Sequence, residues 1–254
     1  MINWFAVYRV WARNSLVWRK LAVPSLLGNV IDPVMALLAF GLGLGSMLPR
    51  VGGLPYLHYL AVGALGVSAM NAATFEALYS AFSRMHVQKT WNGIMNTPVR
   101  LHEVVLGEWA WAATKSAIST GLMLLVVAVL GVGTPSFWLM AWPFLIVAGA
   151  MFSALALCVN AKAPGYDFFM FYFTLVVTPM TFLSGAFFPR DRLPDWLHAV
   201  AEVLPLSFVV DALRAVYQGQ WLHGVSMLFW VFAYMVAGLA LAVYLTRKRF
   251  VKLG

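Results

Sequence analysis

One cysteine, Cys158, is all that this chain contains. A disulfide within the chain is therefore excluded, and no cysteine cluster is left to bind a metal. Charge is almost as scarce. Only 10% of the 254 residues are charged, while 62% are hydrophobic and the mean hydropathy is +0.82. A soluble domain of that composition could not cover its own surface. The chain is predicted to be an all-α membrane protein, with residues 1–254 forming a single domain. No glycine is followed by lysine anywhere, so the GxxxxGK[ST] loop that cradles ATP phosphates is missing. His102-Glu103 begins like a zinc-protease helix, but the fifth position is Leu106 instead of His. His58, His86, His198 and His223 stand singly. No catalytic set and no metal site are predicted.

Acidic residues are few, 9 against 17 Lys and Arg. An excess of +8 could suggest nucleic acid, but its distribution follows the rule that cytoplasmic loops of membrane proteins are basic. Six spans are predicted: Val23–Met47, Tyr56–Phe82, Ala110–Val132, Phe137–Val159, Phe168–Phe188 and Val225–Leu245. Arg9, Arg13, Arg19, Lys20, Arg84, Lys89, Arg100, Lys115, Lys162, Arg247, Lys248, Arg249 and Lys252 then fall on one side. Only Arg50, Arg190, Arg192 and Arg214 fall on the other. Both termini and the connector are thus expected in the cytoplasm.

What is present is organised around Ser83–Trp111, a polar, basic connector between the second and third spans. Its elaboration suggests that it meets a partner. Ahead of the spans, Trp4, Trp11 and Trp18 recur every seven residues and drift only about 20° per step. Arg9, Arg13 and Lys20 take the opposite face, the pattern of an amphipathic helix lying in the membrane interface. Leu48–Pro55 reads as a turn-rich outer loop. Gly41 and Gly45 form a GxxxG in the first span and are candidates for a subunit seam. Ala69, Ala73 and Ala77 mark a close-packed face.

Ionisable residues within spans are costly, so Asp32, Glu76, Lys115 and Asp167 stand out. All four are expected near the cytoplasmic third, paired or at the interface. Leu193–Gly219 lacks a clean run of about 20 apolar residues, because Glu202, Pro205, Asp211 and Arg214 interrupt it. It reads as broken, re-entrant helices, with Asp211 and Arg214 spaced to pair on one helix face.

Six segments carry a family resemblance: MNAATFEALY (Met70–Tyr79), QKTWNGIMNTPV (Gln88–Val99), LGEWAWAATK (Leu106–Lys115), APGYDFFMFY (Ala163–Tyr172), TPMTFLSGAFFP (Thr178–Pro189) and LPLSFVVDALR (Leu204–Arg214). In this order they resemble the permease subunits of type-2 ABC exporters, and within them the nodulation-protein-J group of lipo-oligosaccharide exporters. The resemblance implies a homodimer bound to two copies of a separate cytoplasmic ATPase, which holds the ATP and Mg; this chain itself binds no cofactor. It implies that the connector is a coupling helix. Trp91, Met95 and Leu101 are the expected apolar contacts with the ATPase, tuned by Arg84, Lys89, Glu103 and Glu108. Asn71, Thr74, Glu76, Phe168, Phe169 and Tyr172 are candidates for an amphiphile's path, although the aromatic run could equally be packing. A hydrophobic-drug exporter is an alternative, as is a membrane-embedded transferase using Asp191, Asp195 and Glu202.

Overall fold

Helix α3 (Tyr56–Val87) is the axis of the molecule: 89% of its most apolar stretch is buried, against 6% for α2 (Ala22–Gly41 and on to Gly43). The computed structural model describes residues 2–43, 45, 47 and 50–253, without the side chains of Leu42, Lys252 and Leu253. Leu44 and Ser46 of the first predicted span, Leu48 and Pro49 of the predicted outer loop, and the Lys252 side chain of the basic tail lie outside the described residues. The rest of that loop is a hairpin of two short strands, β1 (Arg50–Val51) and β2 (Leu54–Pro55).

Every other described element is helical. The first helix, α1 (Trp4–Arg19), is capped by Asn3, whose side-chain oxygen accepts from the N–H groups of Phe5 and Ala6. After α3 come α4 (Thr90–Met95), α5 (Leu101–Val129), α6 (Pro135–Lys162), α7 (Asp167–Leu183), α8 (Asp195–Glu202), α9 (Pro205–Tyr217) and α10 (Trp221–Leu253). Five of the described helices, α2, α3, α5, α6 and α10, are long and apolar enough to cross a membrane. The fifth predicted span is shorter. It is α7, which contains a π-helical segment at Phe173–Val177. One end of α7 packs Phe169 on Tyr79 and Phe82, and the chain beyond its other end places Gly185 against Tyr59. The interrupted stretch before the last span forms two short helices, α8 and α9, with Pro205 at the first turn of α9, where a missing N–H is harmless.

Small residues set the spacing of this bundle. A Cβ on Gly63 would sit 2.2 Å from the Ala186 carbonyl, and one on Gly149 would sit 2.5 Å from Ser116 Oγ. The same logic applies to Gly41: it is buried, and a Cβ there would meet Leu57 Cδ1 at 2.5 Å, so its smallness serves α2–α3 contact within the chain. The end of α3 widens into π turns at Glu76–Ser80 and Ser83–Val87. Such turns free backbone carbonyls. Asn160 on α6 covers two of them, donating from Nδ2 to Ala77 O at 2.7 Å and Leu78 O at 3.3 Å.

Candidate functional site

The connector begins where α3 ends, and its first cation turns inward. Arg84 Nε donates to both oxygens of Glu108 at 3.0 Å, and Nη2 reaches Glu76 Oε1 at 3.0 Å. Lys115 Nζ holds the other oxygen of Glu76 at 2.8 Å. Two indoles complete the set: Trp111 Nε1 donates to Glu76 Oε1 at 2.8 Å and Trp91 Nε1 to Glu108 Oε1 at 3.0 Å. Glu108, Trp111 and Lys115 are three and four residues apart on α5 and so share a face. Glu76 opens the first π turn of α3, across from that face.

Both carboxylate side chains are almost wholly buried, at 3% and 1% exposure for Glu76 and Glu108. Charges in that setting persist only when paired and hydrogen-bonded. Here two carboxylates meet two cations and two indole donors. A buried pair of this kind adds little net stability, but losing one member leaves an uncompensated charge. Its consequence is rigidity: α3, the connector and α5 are joined through one polar network.

A second fastening ties α1 to the same place. Glu103 accepts from the backbone N–H of Asn3 at 2.9 Å and of Arg100 at 2.8 Å, joining the first turn of α1 to that of α5. Trp11 Nε1 donates to Thr114 Oγ1 at 3.0 Å, and Trp18 meets the Trp111 ring edge-on. A Cβ on Gly107 would clash with Val10 at 2.5 Å, so α1 lies directly on α5. Two members of the predicted tryptophan stripe therefore face protein, while Trp4 remains exposed.

The connector residues consequently divide in an unexpected way. Trp91, predicted to offer an apolar surface, is 1% exposed and serves the internal network. Arg84, Glu103 and Glu108 are also committed inside the chain, and so do not lie on a docking surface. Met95 and Leu101 are partly buried, packed on the apolar cluster that contains Trp91. Of the predicted coupling set Lys89 alone is exposed, in a left-handed turn with φ 51° at the start of α4. Residues the sequence reading missed share its surface: Asn92 and Asn96, with Arg249 and Phe250 from the end of α10, frame a groove of about 450 Å³ beside Met95. Trp91 stacks on Phe250 at 6.3 Å, fixing that end of α10 to the connector. The four-residue spacing of Asn92 and Asn96 was the available signal; contact with the C-terminal helix left none.

The path candidates also separate. Glu76 belongs to the charge network, Thr74 is buried and Asn71 is half-buried. Phe169 is fully buried against Tyr79 and Phe82, whereas Phe168 and Tyr172 line an apolar groove of about 370 Å³ that faces outward. Asp167 is exposed at the first turn of α7, where the helix dipole favours a carboxylate. Asp32 is not near one end of its span: it is exposed at the middle of α2, about 15 Å from the start of that helix.

On the far side of the bundle, Asp211 binds Arg190 at 2.5 Å, and the predicted Asp211–Arg214 bridge does not form. The Arg214 guanidinium turns instead to the Gly185 carbonyl and lies 3.8 Å over the Tyr59 ring. Glu202 is exposed and faces His198 at 3.6 Å. Among the described residues no group of three or more His, Cys, Asp or Glu is placed to hold a metal.

Residues 6–217 match the family model described as ABC-2 type transporter. The chain is similar to Nodulation protein J of Rhizobium leguminosarum bv. viciae, with 42% identity over 99% of this chain and 96% of that protein. It is 42% identical to Nodulation protein J of Rhizobium meliloti over 97% of this chain and 94% of the relative. A more distant relative, the inner membrane transport permease YadH of Escherichia coli, is 22% identical over 84% of this chain and 83% of its own length. With its apolar helices, connector and N-terminal helix arranged as above, this multi-pass membrane chain belongs to the ABC-2 type transporter family.

Proposed function

We propose that the chain is the permease half of an ATP-driven exporter, and that it moves a lipo-oligosaccharide or similar glycolipid-like amphiphile out of the cytoplasm or inner leaflet. The single observation that carries this reading is the connector. A short surface helix is joined through Trp91, Glu108 and Arg84 to Glu76 and Lys115, so a push on α4 reaches two bundle helices without passing through a soft joint. Such a link suits a subunit that receives work from outside and has no nucleotide loop of its own. A separate cytoplasmic ATPase supplies ATP and Mg chemistry; this chain supplies no catalytic group. Docking falls to the exposed face of α4 around Lys89, Asn92 and Asn96, with Met95 and Phe250 in the groove.

The working unit is two copies of this chain with two of the ATPase. Asp32 supports pairing: a carboxylate facing hydrocarbon at the middle of a span costs several kcal/mol, so that face of α2 needs protein or water over it. The basic bias supports a reading with both termini in the cytoplasm, and the relatives' bacterial sources support a bacterial inner membrane. The amphiphile passes between the two copies, with the groove at Phe168 and Tyr172 available to its acyl chain. Similarity to nodulation proteins J over nearly the whole chain supports an acylated oligosaccharide over a hydrophobic drug.

Affinity purification of the tagged chain from its native membrane tests this. A P-loop ATPase should accompany it, with hydrolysis that depends on this chain. Asn92→Trp with Asn96→Trp should abolish the association while membrane insertion is kept. A chain that purifies alone under gentle extraction would overturn the reading.

A further inference from the structure

Between α1 and the charge network lies a cavity of about 390 Å³. Two of the donors on its α1 side, on Asn14 and Trp18, have no acceptor. Asn14 is 2% exposed, and its Nδ2 has no hydrogen-bond partner. The amide cannot be turned round to hide this, because Asn14 Oδ1 already accepts from Arg13 Nη1 at 3.0 Å. Trp18 Nε1, on the same wall, is likewise unpartnered. Arg13 has no carboxylate within ion-pair distance among the described residues. Its pKa is pushed down, first by burial and then by the Arg84 guanidinium, against a weaker attraction to Glu108.

Leaving buried donors unsatisfied costs about 1–3 kcal/mol each, so native structures give them partners. Counting charge around the cavity identifies the kind of partner. Arg13, Arg84 and Lys115 line it as three cations and Glu76 as one carboxylate; with Glu108, which pairs with Arg84 behind the wall, one positive charge is left in excess. The mouth adds a second criterion. Val17 and Leu21 rim it and are 53% and 62% exposed, on a helix of the kind that lies in a membrane face.

We propose that this cavity holds the phosphate headgroup of an anionic phospholipid from the leaflet in which α1 lies, with Arg13, Asn14 and Trp18 donating to its oxygens and the acyl chains leaving over Val17 and Leu21. A planar guanidinium beside a second fixed donor suits a tetrahedral oxyanion better than a neutral sugar. The headgroup would brace α1 against the network that joins the connector to the bundle. This inference does not depend on the exporter reading, since the site exists within one chain and its occupancy can be measured without ATP.

The test uses the full chain, purified in detergent with whatever accompanies it and stripped of lipid. Binding is read from Trp fluorescence and thermal unfolding with three probes: phosphatidylglycerol, monoglucosyl-diacylglycerol and inorganic phosphate. Phosphatidylglycerol should bind and raise the unfolding temperature, with roughly tenfold weaker apparent affinity in Arg13→Gln and a smaller loss in Asn14→Leu and Trp18→Phe. Protection by inorganic phosphate that vanishes in Arg13→Gln would keep the phosphate site and assign it to a free anion. Should Arg13→Gln fail to fold, wild type still decides: equal response to the glucolipid and phosphatidylglycerol overturns the proposal. So does an unchanged response in all three variants, which would leave a cavity filled only by water.

Discussion

Among the described residues, one cluster of buried charge at the connector end of the bundle and one of half-buried charge at the other are built on different rules. At the connector end, Glu76 and Glu108 are balanced by Arg84 and Lys115, and indoles take up remaining lone pairs. At the hairpin end, Arg190 and Asp211 form one pair, with side chains 18% and 27% exposed, and Arg214 rests on a carbonyl and an aromatic face without an ion pair among the described residues. The first joins three segments distant in sequence. The second pins Gly185 and α9 beside Tyr59. Depth of burial decides the chemistry each can tolerate: near-complete burial demands charge neutrality, whereas partial exposure lets water do part of the solvation.

If that contrast is right, the ends should respond unequally to the loss of one charge. Glu76→Leu leaves Lys115 and part of Arg84 unpaired and should destabilise the chain by about 3–5 kcal/mol, seen as a large fall in unfolding temperature in detergent. Loss of Lys115 in the same background (Glu76→Leu with Lys115→Met) should recover part of that loss, because no lone cation remains. Gly107→Leu should follow, at about 1–3 kcal/mol, through overpacking against Val10; proteolysis near α1 should rise with it. Arg214→Lys keeps the charge but loses the planar face on Tyr59, for about 1–2 kcal/mol by the same melt. Asp211→Asn should be mildest, about 1 kcal/mol or less, since its pair with Arg190 is partly solvated. A fall for Asp211→Asn as large as that for Glu76→Leu would erase the distinction between the two ends.

The same contrast shows what could be read from residue order. Glu76 and Lys115 were visible as ionisable residues inside apolar runs, and pairing was the cheapest way to keep them there. Their partners Arg84 and Glu108 were visible only as connector charges, and they read as surface residues because nothing local marks the direction of a side chain. Trp91 failed for the same reason: a tryptophan in a polar loop looks like a contact, yet its indole has an internal carboxylate to reach. Helix spacing placed Asp211 beside Arg214, but Arg190 from the preceding segment competed for Asp211, and a carbonyl with an aromatic face competed for Arg214.

Sequence alone determined that this chain belongs in a membrane, roughly where its apolar helices run and that an amphipathic helix precedes them. Hydropathy and helical period are sums over neighbouring residues, and neighbours are what a sequence lists. Tertiary structure alone decided which charges meet, which glycine serves α2–α3 packing, which face of the connector is free and where two donors of α1 are buried without an acceptor. Those outcomes depend on competition among groups far apart along the chain, settled by desolvation and geometry once the helices have packed.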